Sequence, residues 1–315
     1  MPAAFDESVC DQRVGAWLAR GDIERCETLQ ESLTSVIDAI GQPACEDGHA
    51  ALRFWGQDGE RPTGWMAAAD PIHMEARLDH LRLHHLWSDE WQEQELRELL
   101  DELQTELAQD ENIEFSLVES CGYLRGDAPM LTALHSPAVV NGCDPIALLP
   151  SGADAAQYQR LLSEIQMTLH QSVINQRRED RNLRVINSLW IWGGGSVSEA
   201  VERKLPPLYA DDAIFHGYWL SSRRECQSWP GNLNSCVEMS PSGFVAVTPE
   251  QPATAEEYAE SLTAYLHELR QLLKNSALRG MTLIFRQGLT VRIRPRQIFR
   301  IWRREIPKLV RSVDS

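Results

Sequence analysis

The stretch 164–195, EIQMTLHQSVINQRREDRNLRVINSLWIWGGG, constrains this chain most: a polar helical pattern runs into a short apolar segment that stops on three consecutive glycines. From 154 to 181, Tyr158, Leu161, Leu162, Ile165, Leu169 and Ile174 recur at helical spacing among charged residues. That spacing predicts a long helix with Ser172 as its weak point. Asn182 tolerates positive φ and suits the stop. Residues 185–192 are nearly all apolar, interrupted by Asn187 and Ser188, and read as a buried strand. Gly193, Gly194 and Gly195 follow, and Ser196 or Ser198 can cap a helix beginning at Glu199. A strand, a glycine turn and a helix N-terminus in succession would present backbone N–H groups to an anion at a sheet edge. The glycines match neither the P-loop nor the G-x-G-x-x-G spacing, so a tight turn packing a helix on a sheet also accounts for them.

Arg178 and Arg181 lie just before the strand, and two guanidinium groups near such a turn would give forked donors for phosphate or carboxylate. Ion pairs with Glu179 and Asp180 on the helix surface are the alternative. Trp190 and Trp192 share one face of the strand, where packing is the expected role. Asp70 and His73 could line a ligand pocket. Asp211, Asp212 and His216 form a compact acidic and imidazole group; either a metal role or helix capping would use them. His73, His80, His84 and His85 are close in sequence, but adjacent histidines on a strand at 81–86 point to opposite faces.

The polar set resembles a segment of the archaeal-type, cofactor-independent phosphoglycerate mutases of the alkaline-phosphatase superfamily. Asn175, Arg178, Arg181, Asn187 and Gly193 to Gly195 occupy the matching positions. The chain more broadly resembles the RpfE-type bacterial regulatory proteins, through AADPIHM at 68–74, LLPSGADA at 148–155, EIQMTLH, NSLWIWGGG, YADDAIFHG at 209–217 and FRIWRR at 299–304. The resemblance implies that Asn175, Arg178, Arg181, Asn187, Gly193, Gly194, Gly195, Asp70 and His73 bind a small anionic metabolite. Ser172 and Val173 replace the His-Pro usual in that pattern. The mutases open with a strand carrying Asp-Gly, then use a Ser nucleophile and Asp and His ligands for two metal ions. Here Asp47-Gly48 and Asp58-Gly59 sit in polar, loop-like sequence, and two-metal phosphoryl transfer needs carboxylates and imidazoles that converge. A non-catalytic or weakly active regulator without a cofactor is therefore expected. A manganese- or magnesium-dependent mutase or phosphatase is the alternative.

The net charge of −16 argues against a general nucleic-acid or membrane binder. No apolar run approaches a membrane span and no signal peptide is evident, so a cytoplasmic protein is expected. Seven cysteines without C-x-x-C spacing suggest reduced thiols. Charge is uneven: residues 88–111 hold ten acidic residues against Arg97, on a helical pattern, whereas 286–311 hold nine basic residues against Glu305. The basic segment reads as a hairpin about Gln287-Gly288 followed by a helix after Pro295. It is either an internally paired surface or a site for nucleic acid or an acidic protein.

Helices are expected within 11–40, broken at Arg20-Gly21-Asp22, and strands at 51–55, 64–69, 81–86, 113–119 and 122–125. The pattern reads as one mixed α/β (α+β) unit over 1–315, a degenerate phosphoglycerate-mutase-like domain. A sub-border near 136–153 and a basic hairpin and helix at 281–311 complete the expectation.

Overall fold

A computed structural model describes residues 12–300 apart from Glu27, Glu46, Ser88, 153–154, 250–254 and 286–287. Its elements in chain order begin with α1 (Gln12–Leu18), β1 (Asp22–Arg25), α2 (Ser32–Ala39), α3 (His49–Asp58), β2 (Trp65–Ala76) and β3 (Leu81–His85). Next come α4 (Glu93–Glu111), β4 (Ile113–Val118), β5 (Cys121–Gly126), α5 (Ala156–Gln171), α6 (Val173–Asp180) and β6 (Ser188–Gly195). The remainder is β7 (Leu208–Tyr209), α7 (Ala213–Ser221), β8 (Cys226–Gln227), α8 (Leu233–Met239), β9 (Val245–Ala246), α9 (Ala255–Lys274), β10 (Met281–Phe285) and β11 (Leu289–Ile293). The fold is mixed α/β.

The chain divides into two compact units, not the single unit expected over 1–315. A central unit holds Ala44–Leu205 and Ala210–Gln227, and a terminal unit holds Met1–Pro43, Pro206–Tyr209 and Ser228–Ser315. The segment 136–153 lies inside the central unit and is no border. The reason is a pairing that local sequence patterns do not encode: β1 runs antiparallel to β11, with Asp22 opposite Arg292 and Arg25 opposite Leu289. The hairpin β10–β11 completes that three-stranded sheet. Trp17 and Leu18 of α1, Leu266, Leu269 and Leu273 of α9, and Leu289, Val291 and Ile293 of β11 form its core.

In the central unit five strands form one sheet, in the order β3-β2-β5-β4 with β6 along the other edge of β2. Strand β2 is the hub, pairing antiparallel with β3, β5 and β6. Ala67, Ala69, Leu124, Leu189 and Ile191 of the sheet share a core with Leu96, Leu99, Leu100 and Leu103 of α4 and Tyr158, Leu161, Ile165 and Leu169 of α5. The acidic helix forms where expected. Gln92 and Glu95 build a capping box at its start, and Asn112 closes it at φ 50°.

The expected helix at 154–181 does break at Ser172, whose hydroxyl accepts from Ile174 N–H and starts α6. Asn182 takes φ 54°. Three local expectations fail. Residues 22–25, read within a helical stretch, form β1 and pair with β11. Residues 51–55, read as a strand, lie inside α3, where Ala50 to Trp55 are all buried. An apolar run this short carries no period that separates helix from buried strand. Glu199 begins no helix; residues 196–207 are irregular. Helices α3 and α7 instead cross tightly: a Cβ on Gly217 would lie 1.9 Å from Leu52 O, and one on Gly56 equally close to Ala213 O.

Candidate functional site

Strand β6 starts at Ser188, later than the apolar run suggests, and carries the glycines within it. Gly193 takes φ +61°, and its N–H donates to Ala133 O at 2.9 Å. Gly194 N–H donates to Thr132 Oγ1 at 2.9 Å. A Cβ on Gly195 would meet Gly48 Cα at 2.8 Å, so the glycines let β6 and the start of α3 touch backbone to backbone. The expected cradle of free N–H groups ahead of a helix is thus replaced by a packing junction.

The polar set before the strand forms an internal lattice. Asn175 donates to Leu169 O and Ile186 O, both at 2.8 Å, and accepts from Ile186 N–H at 2.9 Å. Asn187 brackets Met74, accepting from its N–H at 2.7 Å and donating to its carbonyl at 2.9 Å. Arg178 is fully buried, donating through Nη1 to Glu95 Oε2 at 2.6 Å, through Nε to Arg184 O at 2.9 Å and through Nη2 to Glu90 O at 2.8 Å. Arg181 reaches the other oxygen, Glu95 Oε1, at 3.2 Å. The forked-donor chemistry expected of Arg178 and Arg181 is present, but its carboxylate belongs to this chain. Glu95 Oε2 also accepts from Gln92 N–H at 3.0 Å, so one residue caps α4 and ties it to α6. Neither Glu179 nor Asp180 is the partner that the helix-surface alternative supposed. Arg177 leans on Glu98 at 3.7 Å and Arg184 on Glu90 at 3.3 Å, both from exposed positions.

Asp70 sits beneath α3. Arg53 Nη1 donates to both its oxygens at 2.9 Å, and Trp192 Nε1 donates to Oδ2 at 2.6 Å. Arg53 also donates to Tyr123 Oη at 3.0 Å and Gly122 O at 2.9 Å, and its guanidinium lies over the Tyr123 and Trp192 rings. Tyr123 donates onward to Gln57. The Asp70 carboxylate holds Arg53 well above its usual pKa against the opposing effect of burial, and burial pushes Tyr123 upward. Asp70 is therefore the anion of a buried ion pair, not the wall of an open pocket, and Trp192 does more than pack. The sequence alone does not single out Arg53, Glu95 or Tyr123. The one signal for the first is a charge inside the apolar run ALRFW.

His73 is half-buried, with Nδ1 3.0 Å from Val185 O. A carbonyl only accepts, so Nδ1 carries the proton. Burial is the largest cause lowering its pKa, and the neighbouring charges of Arg184 and His84 add to it. Asp212 caps α7, accepting from Ile214 N–H at 2.9 Å and Phe215 N–H at 3.2 Å, while His216 Nε2 meets Ala210 O at 2.7 Å. Asp211, Asp212 and His216 thus form a helix start, and among the described residues no three His, Cys, Asp or Glu gather as a metal site. In the terminal unit, Arg292 pairs with Glu24 at 2.5 Å and Arg300 with Asp22 at 2.6 Å, so this part of the basic segment is internally paired. Residues 295–299 form a short 3-10 turn, and the rest of the expected basic helix, 301–311, lies outside the described residues. No described helix is long and apolar enough to cross a membrane.

Among solved structures, the chain is similar to a cofactor-independent phosphoglycerate mutase from Thermoplasma acidophilum DSM 1728, with 15% identity, 90% of this chain and 82% of that one covered, and a TM-score of 0.42. It is also similar to the PH0037 protein from Pyrococcus horikoshii, with 13% identity, 84% and 71% coverage, and a TM-score of 0.46. No family model matches the chain, and no curated protein matches it. A fold does not carry a site, so function rests on the residues.

Proposed function

We propose that this chain is a non-catalytic, phosphoglycerate-mutase-like cytoplasmic regulator that binds a small phosphorylated or carboxylated metabolite. The supporting observation is how the arginines of the α6 region divide their work. Arg178 is withdrawn as an anchor, whereas Arg181 and Arg184 stay about half exposed, each holding one longer ion pair, at 3.2 and 3.3 Å, to Glu95 and Glu90. Exposed pairs of that kind are worth about 0–1 kcal/mol, so a phosphate or carboxylate offering two oxygens can displace them. The buried lattice holds the cationic edge in place, and the buried carboxylate of Asp70 has both oxygens engaged by Arg53 and Trp192.

The test is calorimetric titration of 3-phosphoglycerate with and without manganese, with the same mixtures assayed for 2-phosphoglycerate. Binding without conversion supports the reading. Conversion abolished by a chelator would replace the regulator with an enzyme.

A further inference from the structure

The hairpin β2–β3 carries a group of cationic and imidazole side chains that the buried lattice does not use. His73 faces His84 across the ladder and Glu75 faces Arg82, and alternation along each strand puts all four on one side. The two imidazole rings are 6.0 Å apart. Among the described ion pairs, the carboxylate on this side is Glu75, whose Oε2 accepts from Arg77 and meets His84 Nε2, both at 2.9 Å. Arg82, directly opposite Glu75, has a buried Nε–H with no hydrogen-bond partner. An arginine N–H in that state normally finds an acceptor, and its absence marks a place for one.

We propose that this side of the hairpin binds a phosphate dianion, either free or as the terminal group of a metabolite, through Arg82, His84 and His73, with Glu75 as the internal counter-ion that the ligand displaces. This assignment rests on the small-anion reading above and extends the Arg181 and Arg184 edge on to the hairpin, since His73 meets Val185 O and feels the charge of Arg184. Two guanidinium groups and two imidazoles against one carboxylate favour a doubly charged, many-oxygen ligand over a monocarboxylate. The residues remain within reach of solvent: the Arg77, Glu75 and His84 side chains are 47%, 35% and 20% exposed. The His73 proton on Nδ1 is held by Val185 O, which leaves Nε2 to gain a proton when an anion arrives. Burial disfavours the charged form of His73 most, Arg184 and His84 add to it, and a bound dianion opposes them.

The experiment follows the histidine ring signals by nuclear magnetic resonance while inorganic phosphate, 3-phosphoglycerate or glycerate is added to the full chain. Phosphate and 3-phosphoglycerate should shift the His73 and His84 signals and raise the His73 titration midpoint, and glycerate should do neither. Arg82→Gln should weaken phosphate binding about tenfold, as loss of a charge-assisted donor implies. Arg97→Gln, on α4, should leave it unchanged. Because Arg82→Gln could disturb the hairpin, Glu75→Gln gives a test of opposite sign: removing the competing carboxylate should tighten phosphate binding. Ring signals that ignore phosphate while calorimetry still detects it would overturn this site and spare the functional reading. No binding of phosphate or 3-phosphoglycerate by either method would overturn both. Equal responses to glycerate and phosphate would refute the phosphate preference.

Discussion

Replacing Arg178 with Ala should destabilise the central unit far more than replacing Arg181 with Ala, although both arginines hold the same carboxylate. The Arg178 side chain is 0% exposed and Glu95 is 13% exposed, whereas Arg181 is 52% exposed. Truncating Arg178 strands the Glu95 carboxylate and removes the donors to the Glu90 and Arg184 carbonyls. Removing one partner of a buried pair costs about 3–5 kcal/mol. Taking a urea m-value of about 2 kcal/mol/M, the midpoint should fall by about 2 M. Arg181→Ala removes a half-exposed contact and should cost less than about 1 kcal/mol. Urea unfolding followed by tryptophan emission reads both, since Trp190, Trp192 and Trp219 of the central unit are fully buried. The pair Arg178→Met with Glu95→Gln should recover part of the loss, because no charge is stranded and Gln can keep the capping box. Equal small shifts for Arg178→Ala and Arg181→Ala would refute the assignment of Arg178 as the buried anchor.

Asp70→Asn should leave Arg53 as a buried cation without its counter-ion and cost about 3–5 kcal/mol, with a change in Trp192 emission as its indole partner changes. Gly217→Ala should destabilise by about 1–3 kcal/mol or more, because the added methyl has no room at Leu52 O, whereas Gly15→Ala in α1 meets nothing within 4 Å and should be neutral or stabilising in thermal melts. His73 has a lowered folded pKa, so the unfolded chain binds the extra proton first as pH falls below its ordinary value of about 6.5. Stability from this group is complete above that value and declines on acidification until the folded pKa is reached; His73→Gln should flatten that part of the stability profile. Burial raises the thiols of Cys226 to about 12 and Cys236 to about 11. Both should react slowly with a disulfide reagent at pH 8 in the native chain and rapidly in urea.

The local grammar of the chain was readable where several signals agreed. The Ser172 break, the Asn182 turn and the acidic helix each combine a periodic apolar face with a residue suited to the terminus. Helix α3 was hidden because burial on all sides erases its period, and Arg53 inside it looked like an interruption. The two-unit division was hidden because β1 finds β11 across almost the whole chain. At the site, the residues that the sequence singles out each make polar contacts, to partners that it could not supply. Arg178 meets Glu95 from a helix far upstream, and Asn187 meets the backbone of Met74. Which donors are consumed and which stay exposed depends on those distant contacts. The strand register that sets His73 against His84 likewise needs the fold.

The most direct measurement of the central claim compares 3-phosphoglycerate binding by the wild-type chain and an Arg181→Ala/Arg184→Ala variant at matched, verified folding. The account predicts measurable binding by the wild type that weakens about tenfold or more in the variant, without conversion to 2-phosphoglycerate in either. Unchanged affinity, or turnover by the wild type, would contradict it.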